Sequence, residues 1–92
     1  MEKEILYEAF VRMATQLREN PTELLSRNRK RDLVDARSII AAKLKTRRQV
    51  RQQDIANLFG ISQAAVSKLL VRHSNLKTTD RDYLNRWESL NN

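Results

Sequence analysis

Gln52-Gln53-Asp54-Ile55-Ala56-Asn57-Leu58-Phe59-Gly60-Ile61-Ser62-Gln63-Ala64-Ala65-Val66-Ser67-Lys68-Leu69-Leu70 is the stretch that decides how this chain is read. It contains Gly60, the one glycine among 92 residues. Ile55 and Phe59 precede that glycine at helical spacing, and Ile61, Val66 and Leu69 follow it as inward-facing apolar positions. A helix that ends by turning back needs a residue with positive φ, and glycine takes that conformation at little steric cost. Ala56 is small enough for two helices to cross closely at that point. Ser62 can cap a new helix through its side-chain oxygen. The pattern predicts a helix-turn-helix over about 51–73, with Val50 stapled onto the helix it precedes. The second helix then presents Ser62, Gln63, Ala64, Ser67 and Lys68 as a set suited to the major groove of duplex DNA.

Working outward, Ile5, Leu6, Ala9, Phe10, Met13 and Leu17 recur at helical spacing and predict an amphipathic helix over 3–18. Asn20-Pro21 marks a helix start, with Asn as cap and Pro in the first turn. A short helix over 21–26 follows, with Leu24 and Leu25 inward. Arg27-Asn28-Arg29-Lys30-Arg31 is a charged connector with no apolar residue. Asp32 is expected to cap a helix over 33–46 that buries Leu33, Ala36, Ile40 and Leu44, with Ile39 alongside. Thr46-Arg47-Arg48-Gln49 is a second basic connector. On the far side of the central stretch, 75–78 reads as polar loop. Thr79, with Asp82 three residues on, resembles a capping box. A last helix over 80–90 carries Tyr83, Leu84, Trp87 and Leu90 on one face. One proline, one glycine and no β-branched alternation make the class all-α. The expectation is one domain, 1–92, of about six helices around one modest core.

The formal charge is +7, and it is unevenly placed. Residues 1–26 carry a net −2, residues 27–51 a net +8, and residues 52–92 a net +1. The excess therefore lies in one block beside the helix-turn-helix, which is the footprint of a polyanion partner. The plain alternative is a solvated basic surface that binds nothing. There is no cysteine, so neither a disulfide framework nor a thiolate metal site is available, which suits a reducing cytoplasm, where a DNA partner would make the chain nucleoid-associated. The longest aliphatic runs, 39–42 and 69–71, are too short to span a membrane. Met1-Glu2-Lys3-Glu4 carry acid and lead into a helix, unlike a signal peptide. No Ser/His/Asp or paired-carboxylate arrangement suggests catalysis, so the chain is read as a non-enzyme without cofactor or metal.

From about Phe10 to Leu70, some two thirds of the chain, the sequence resembles the C-terminal DNA-binding domain of the bacterial replication initiator DnaA. The residues that carry the resemblance are Leu24-Leu25-Ser26, the basic loop Arg27 to Arg31, then Leu33, Arg37 and Ile40, then Ile55, Phe59 and Gly60, with matching spacing from Ser26 to Gly60. The resemblance implies a Trp-repressor-like helical fold. It also implies a basic loop that lines or enters the minor groove, and a helix after Gly60 that reads the major groove. Beyond Gly60 the chain departs from that family, whose Asp-His-Thr-Thr-Val signature is replaced by Ile61-Ser62-Gln63-Ala64-Ala65-Val66, one residue shorter. No ATPase module is present. The segment 62–70 looks more like the recognition helix of bacterial and phage repressors, which gives a DnaA-like scaffold with a regulator-type reading head.

Each candidate contact has a functional and a plain reading. Gln63, in the first turn of the reading helix, can bond bidentately to adenine N6 and N7, or be a solvated polar residue. Ala64 can approach a thymine methyl or be only a helix former. Ser67 and Lys68 lie one turn on, and Lys68 reaches a phosphate more readily than guanine, since phosphate contacts outnumber base contacts. Arg72 continues that face. Gln52 can offer an N–H to a phosphate. Arg27, Arg29, Lys30 and Arg31 can track the backbone, with Arg29 or Arg31 the favoured minor-groove entrant. Arg47, Arg48 and Arg51 form the second phosphate cluster. Arg37 either matches the arginine of the DnaA pattern or makes a structural ion pair. His73 is placed near a helix end, as a dipole contact rather than a metal ligand. Tyr7, Phe10, Phe59, Tyr83 and Trp87 are core, or an oligomer surface for the last two.

The reading is a bacterial or phage regulator of transcription or replication that binds double-stranded DNA. A homodimer or protein partner, held through the first or last helix, would enlarge an interface too small for strong specificity alone. Two rivals remain at this level: the DNA-binding module of a transposase or recombinase, disfavoured if the reading frame is complete at Asn92, and a helix-turn-helix-shaped protein-interaction module.

Overall fold

A computed structural model describes residues 3–90; Met1 and Glu2, and so the acidic lead into the first helix, lie outside the described residues. Helix α1, Lys3–Gln16, buries Leu6, Ala9, Phe10, Met13 and Ala14 along one stripe. Ile5, expected on that stripe, is exposed, because it falls on the flank where no neighbour packs. The helix ends on Arg18, which takes the left-handed conformation at φ 60°. Arg18 N–H bonds the Thr15 carbonyl at 3.0 Å and Glu19 N–H the Ala14 carbonyl at 2.9 Å, the paired bonds that close a Schellman end.

Helix α2, Pro21–Leu24, starts as the sequence predicts: Asn20 Oδ1 accepts from Thr22 N–H at 2.8 Å and Pro21 sits at the first helical position. Helix α3, Arg31–Lys45, is central and buries most of its circumference, with Leu33, Ala36, Ile39, Ile40, Ala41 and Leu44 inside. It begins two residues before its expected start. Lys30 occupies the cap position without a side-chain bond, and Asp32 sits in the first turn, where its charge favours the helix dipole instead of capping.

Helix α4, Gln52–Phe59, packs on α1 through an edge-to-face contact of Phe59 with Phe10, ring centres 5.6 Å apart at 85°. Helix α5, Gln63–Thr79, continues through the segment 75–78 expected as loop. The polar side chains there find their partners inside the helix: Thr78 and Thr79 hydroxyls donate to the Asn75 carbonyl at 3.0 and 2.8 Å, and Leu76 packs against the core. Helix α6, Arg81–Ser89, follows after a single residue. Asp80, not Thr79, is the cap: its Oδ1 accepts from Tyr83 N–H at 3.1 Å, while its own N–H bonds the Leu76 carbonyl and closes α5.

These six helices share one apolar cluster that takes in Phe10, Leu24, Ile40, Leu44, Ile55 and Val66. Full burial of a side chain of that size is worth about 1.5–3 kcal/mol over leaving it exposed. Packing of that cluster, more than helix propensity, therefore sets the arrangement. Among the described residues the fold is all-helical with no strand, and no helix is long and apolar enough to cross a membrane.

Candidate nucleic-acid interface

The turn 60–62 is built as the sequence predicts. Gly60 has φ 67° and ψ 37°, and its N–H bonds the Asn57 carbonyl at 3.3 Å. Ile61 N–H bonds the Ala56 carbonyl at 3.0 Å, so α4 ends in the same Schellman closure as α1. Ser62 is extended, and its Oγ accepts from Ala65 N–H at 3.1 Å to start α5. Ile61, expected to pack inward, is more than a third exposed. It lines the groove described below.

From this cap, Gln63, Ala64, Ser67 and Lys68 emerge on one exposed face of α5. No acidic residue occurs between 63 and 79. Val71, one turn beyond Lys68 and 61% exposed, continues the same face. Sequence reading passed over Val71, although its spacing of three, four and seven from Lys68, Ser67 and Ala64 places it there. Two side chains of the face are tied to α4. Gln52 Nε2 donates to Ser67 Oγ at 2.8 Å, and Gln63 Nε2 donates to Gln53 Oε1.

The first basic connector stands beside the turn. Its backbone is shaped by short local bonds: Asn28 N–H donates to Ser26 Oγ at 3.2 Å and Lys30 N–H to Asn28 Oδ1 at 3.0 Å. Arg37 fixes where it starts. Its guanidinium donates to the carbonyls of Leu24 at 2.7 Å, Glu23 at 3.1 Å and Ser26 at 2.9 Å. Arg37 is thus a structural clamp on the end of α2, through carbonyls and not an ion pair, and burial lowers its pKa. Arg27 and Arg29 then face Gly60, Ile61 and Ala65 across a groove of about 540 Å³ floored by Leu24, Phe59 and Leu69. This groove joins the connector to the start of α5.

The remaining arginines divide. Arg29, Lys30, Arg48 and Arg51 are exposed, and Arg47 is half-buried. Arg51 precedes α4, its N–H held by Asp54 Oδ2 at 2.8 Å. Arg31 is exposed but its guanidinium reaches Asp80 at 3.1 Å and Asp35 at 3.8 Å. Arg72 turns away from the open face of α5. Its Nε and Nη2 both bond Asp35 Oδ1, at 3.1 and 2.7 Å, which joins α5 to α3.

His73 lies in the middle of α5 and is buried, not near a helix end as its sequence context suggests. Its Nδ1 is 2.8 Å from the Tyr83 hydroxyl, and Trp87 packs edge-on with ring centres 4.4 Å apart. Burial, with a smaller contribution from Lys77, pushes the imidazole below its usual value of 6.5. Burial likewise pushes the Tyr83 hydroxyl well up, with Asp35 adding to it. Tyr83 therefore keeps its proton and His73 is neutral, and the two share one buried hydrogen bond. Tyr83 is core and Trp87 half-buried against it, so α6 is fastened by this face.

Among the described residues no group of three His, Cys, Asp or Glu side chains could hold a metal ion. No family model matches the chain, and no curated protein or solved structure does either.

Proposed function

We propose that this chain binds duplex DNA with sequence preference, with the first two turns of α5 in the major groove and the basic connectors on the flanking phosphates. The observation that carries this reading is the open face of α5. Gln63, Ser67 and Lys68 supply donors and acceptors there, Ala64 and Val71 supply apolar contacts, and no carboxylate on the helix opposes a phosphate. Major-groove readout needs this mixture on a helix. Arg27 and Arg29, across the groove from the turn, lie on the side where a strand backbone would pass. The DnaA-like spacing from Ser26 to Gly60 supports the same use, and with the repressor-like segment 62–70 it makes a bacterial or phage regulator, acting at the nucleoid, the fitting biological role. One module of this size buries little surface, so a second copy or a protein partner completes the specific complex.

Fluorescence anisotropy with labelled duplexes between about 50 and 200 mM salt tests the reading. If each subunit neutralises about five phosphates, the log–log slope is about −4 to −5 per subunit. No duplex binding at the low end, or a slope near zero, overturns it. The exposure of Val71 also favours a second reading, in which α5 docks on another protein. That reading predicts capture of a protein ligand without the salt dependence of a polyanion.

A further inference from the structure

Three exposed side chains near the turn are joined amide to amide. Gln63 Nε2 donates to Gln53 Oε1, and Gln53 Nε2 donates to Asn57 Oδ1 at 2.8 Å. A primary amide carries two N–H donors at one corner and a carbonyl acceptor at the other. In the structure the relay runs one way, from Gln63 through Gln53 to Asn57. Because Gln53 gives its N–H to Asn57, one turn further along α4, its carbonyl faces Gln63. Gln63 must answer with its NH₂ corner. What remains free on Gln63 is the carbonyl oxygen and the second N–H, side by side on the outer edge.

That edge complements adenine, whose N6 amino group donates and whose N7 accepts in the major groove. Guanine offers two acceptors there, N7 and O6, and leaves a carbonyl facing a carbonyl. An unsupported glutamine can turn its amide and adapt to other bases, whereas one held by its NH₂ corner can do so only if Gln53 and Asn57 turn their amides with it. We infer that Gln53, backed by Asn57, is a positioning residue that holds Gln63 in the one amide orientation that selects adenine. The inference rests on the DNA-binding reading of α5 and adds to it a residue on the preceding helix that decides which base is read. Gln52, bonded to Ser67 and not to Gln63, lies outside the relay and serves as a control.

The test begins with selection of a preferred site from a random duplex pool by the intact protein. Affinities are then measured for that site and for its three alternatives at the A·T pair whose discrimination is lost in Gln63→Ala. Gln53→Met should reduce discrimination at that pair by about tenfold, with affinity for a scrambled duplex unchanged. Asn57→Ala should act in the same direction more weakly, and Gln52→Met, which removes a phosphate-directed N–H, should lower affinity for every duplex without changing the preference at that pair. Gln53→Glu keeps an acceptor for Gln63, and Asn57 can turn its amide to donate to it. This variant should therefore restore the discrimination while its added charge weakens all duplexes alike. In a Gln63→Ala background Gln53→Met should have no further effect on preference. The side chains are exposed, and thermal melts of each variant check that the fold is kept.

Unchanged discrimination in Gln53→Met overturns the inference. So does an equal loss on every duplex, an effect that persists without Gln63, or a Gln63-dependent pair that is not A·T. In each of these outcomes salt-dependent duplex binding is still present, and the DNA-binding reading stands. Absence of binding to any duplex removes that reading and the inference together.

Discussion

In the first turns of α5, Gln63, Ala64, Ser67 and Lys68 keep their side chains in solvent. Two turns further on, Arg72 is held by Asp35 and His73 by Tyr83, and Leu76 packs on the core. One half of the helix is fastened to α3 and α6 while the other projects past the turn beside the basic connector. The difference shows how a small domain can hold a set of exposed side chains in fixed relation. The ties to α3 and α6 lie away from the exposed face, whose own bonds run only to α4, so that substitutions in one half need not disturb the other.

The strongest way to break this comparison is Arg72→Leu. It leaves the buried carboxylate of Asp35 with only the longer Arg31 contact and should cost about 2–3 kcal/mol of stability. Chemical denaturation measures that, and duplex affinity in conditions where the variant is folded should change little. An unchanged denaturation midpoint with lost duplex affinity would move Arg72 to the open half.

Gly60→Val tests the hinge between α4 and the open half. A Cβ at Gly60 meets nothing within 4 Å, so the cost is the positive φ alone, about 1–3 kcal/mol for a β-branched residue. Gly60→Asn should cost less than about 1 kcal/mol, because asparagine visits this region with local support. Thermal melts that rank the two variants the other way would show that something besides φ governs the turn.

The double substitution Arg27→Ala, Arg29→Ala sharpens the comparison from outside the helix. Neither arginine is tied by an ion pair to a carboxylate among the described residues, so the melt should hold, while the salt slope flattens by about 1.8 if each contacts one phosphate. A preserved slope would place the phosphate contacts elsewhere.

The smallest effect is expected from pH. His73 is neutral in the fold with a pKa below 6.5, so between the two values the unfolded chain binds more protons than the folded one. Stability is then full above pH 6.5 and declines as pH falls from 6.5 toward the folded value, with no further contribution from His73 below it. The groups facing the imidazole are Tyr83 and Trp87 on α6 and Lys77 on its own helix. Denaturation midpoints over this range should show the decline in the parent and its loss in His73→Phe.

What was legible in the sequence follows from how local each determinant is. The α1 stripe, the Asn20-Pro21 start and the turn at Gly60 and Ser62 depend on residues within four or five positions, and apart from Ile5 they stand where expected. The extent of α5 was not legible, because Asn75, Thr78 and Thr79 favour loops, and only the fold shows the two threonine hydroxyls donating to the Asn75 carbonyl one turn back. The left-handed residue at Arg18 carries no mark of its own, since arginine is ordinary in a helix. The pairing of Arg72 with Asp35 and of His73 with Tyr83 depends on where α3 and α6 pack. The amide relay had a weak signal in the ten-residue spacing of Gln53 and Gln63, each in the first turn of consecutive helices, but such a spacing acquires meaning only once the turn between them is closed.

Arg31 ends the basic connector, and its guanidinium rests on Asp80, forty-nine positions later in the chain. During synthesis from the N-terminus, the connector therefore leaves the ribosome long before the carboxylate that holds its last residue exists. Closing so long a loop is slow compared with forming the local turns of α1 to α4. The last residue of the connector should thus acquire its long-range contact after the local bonds that shape the loop have formed. A nascent chain shortened before Asp80 would carry the same basic residues with Arg31 released from α6, and its attraction for polyanions would be unselective. Order of assembly, and not only final geometry, then decides when Arg31 is held by Asp80 and when its charge is open to other partners.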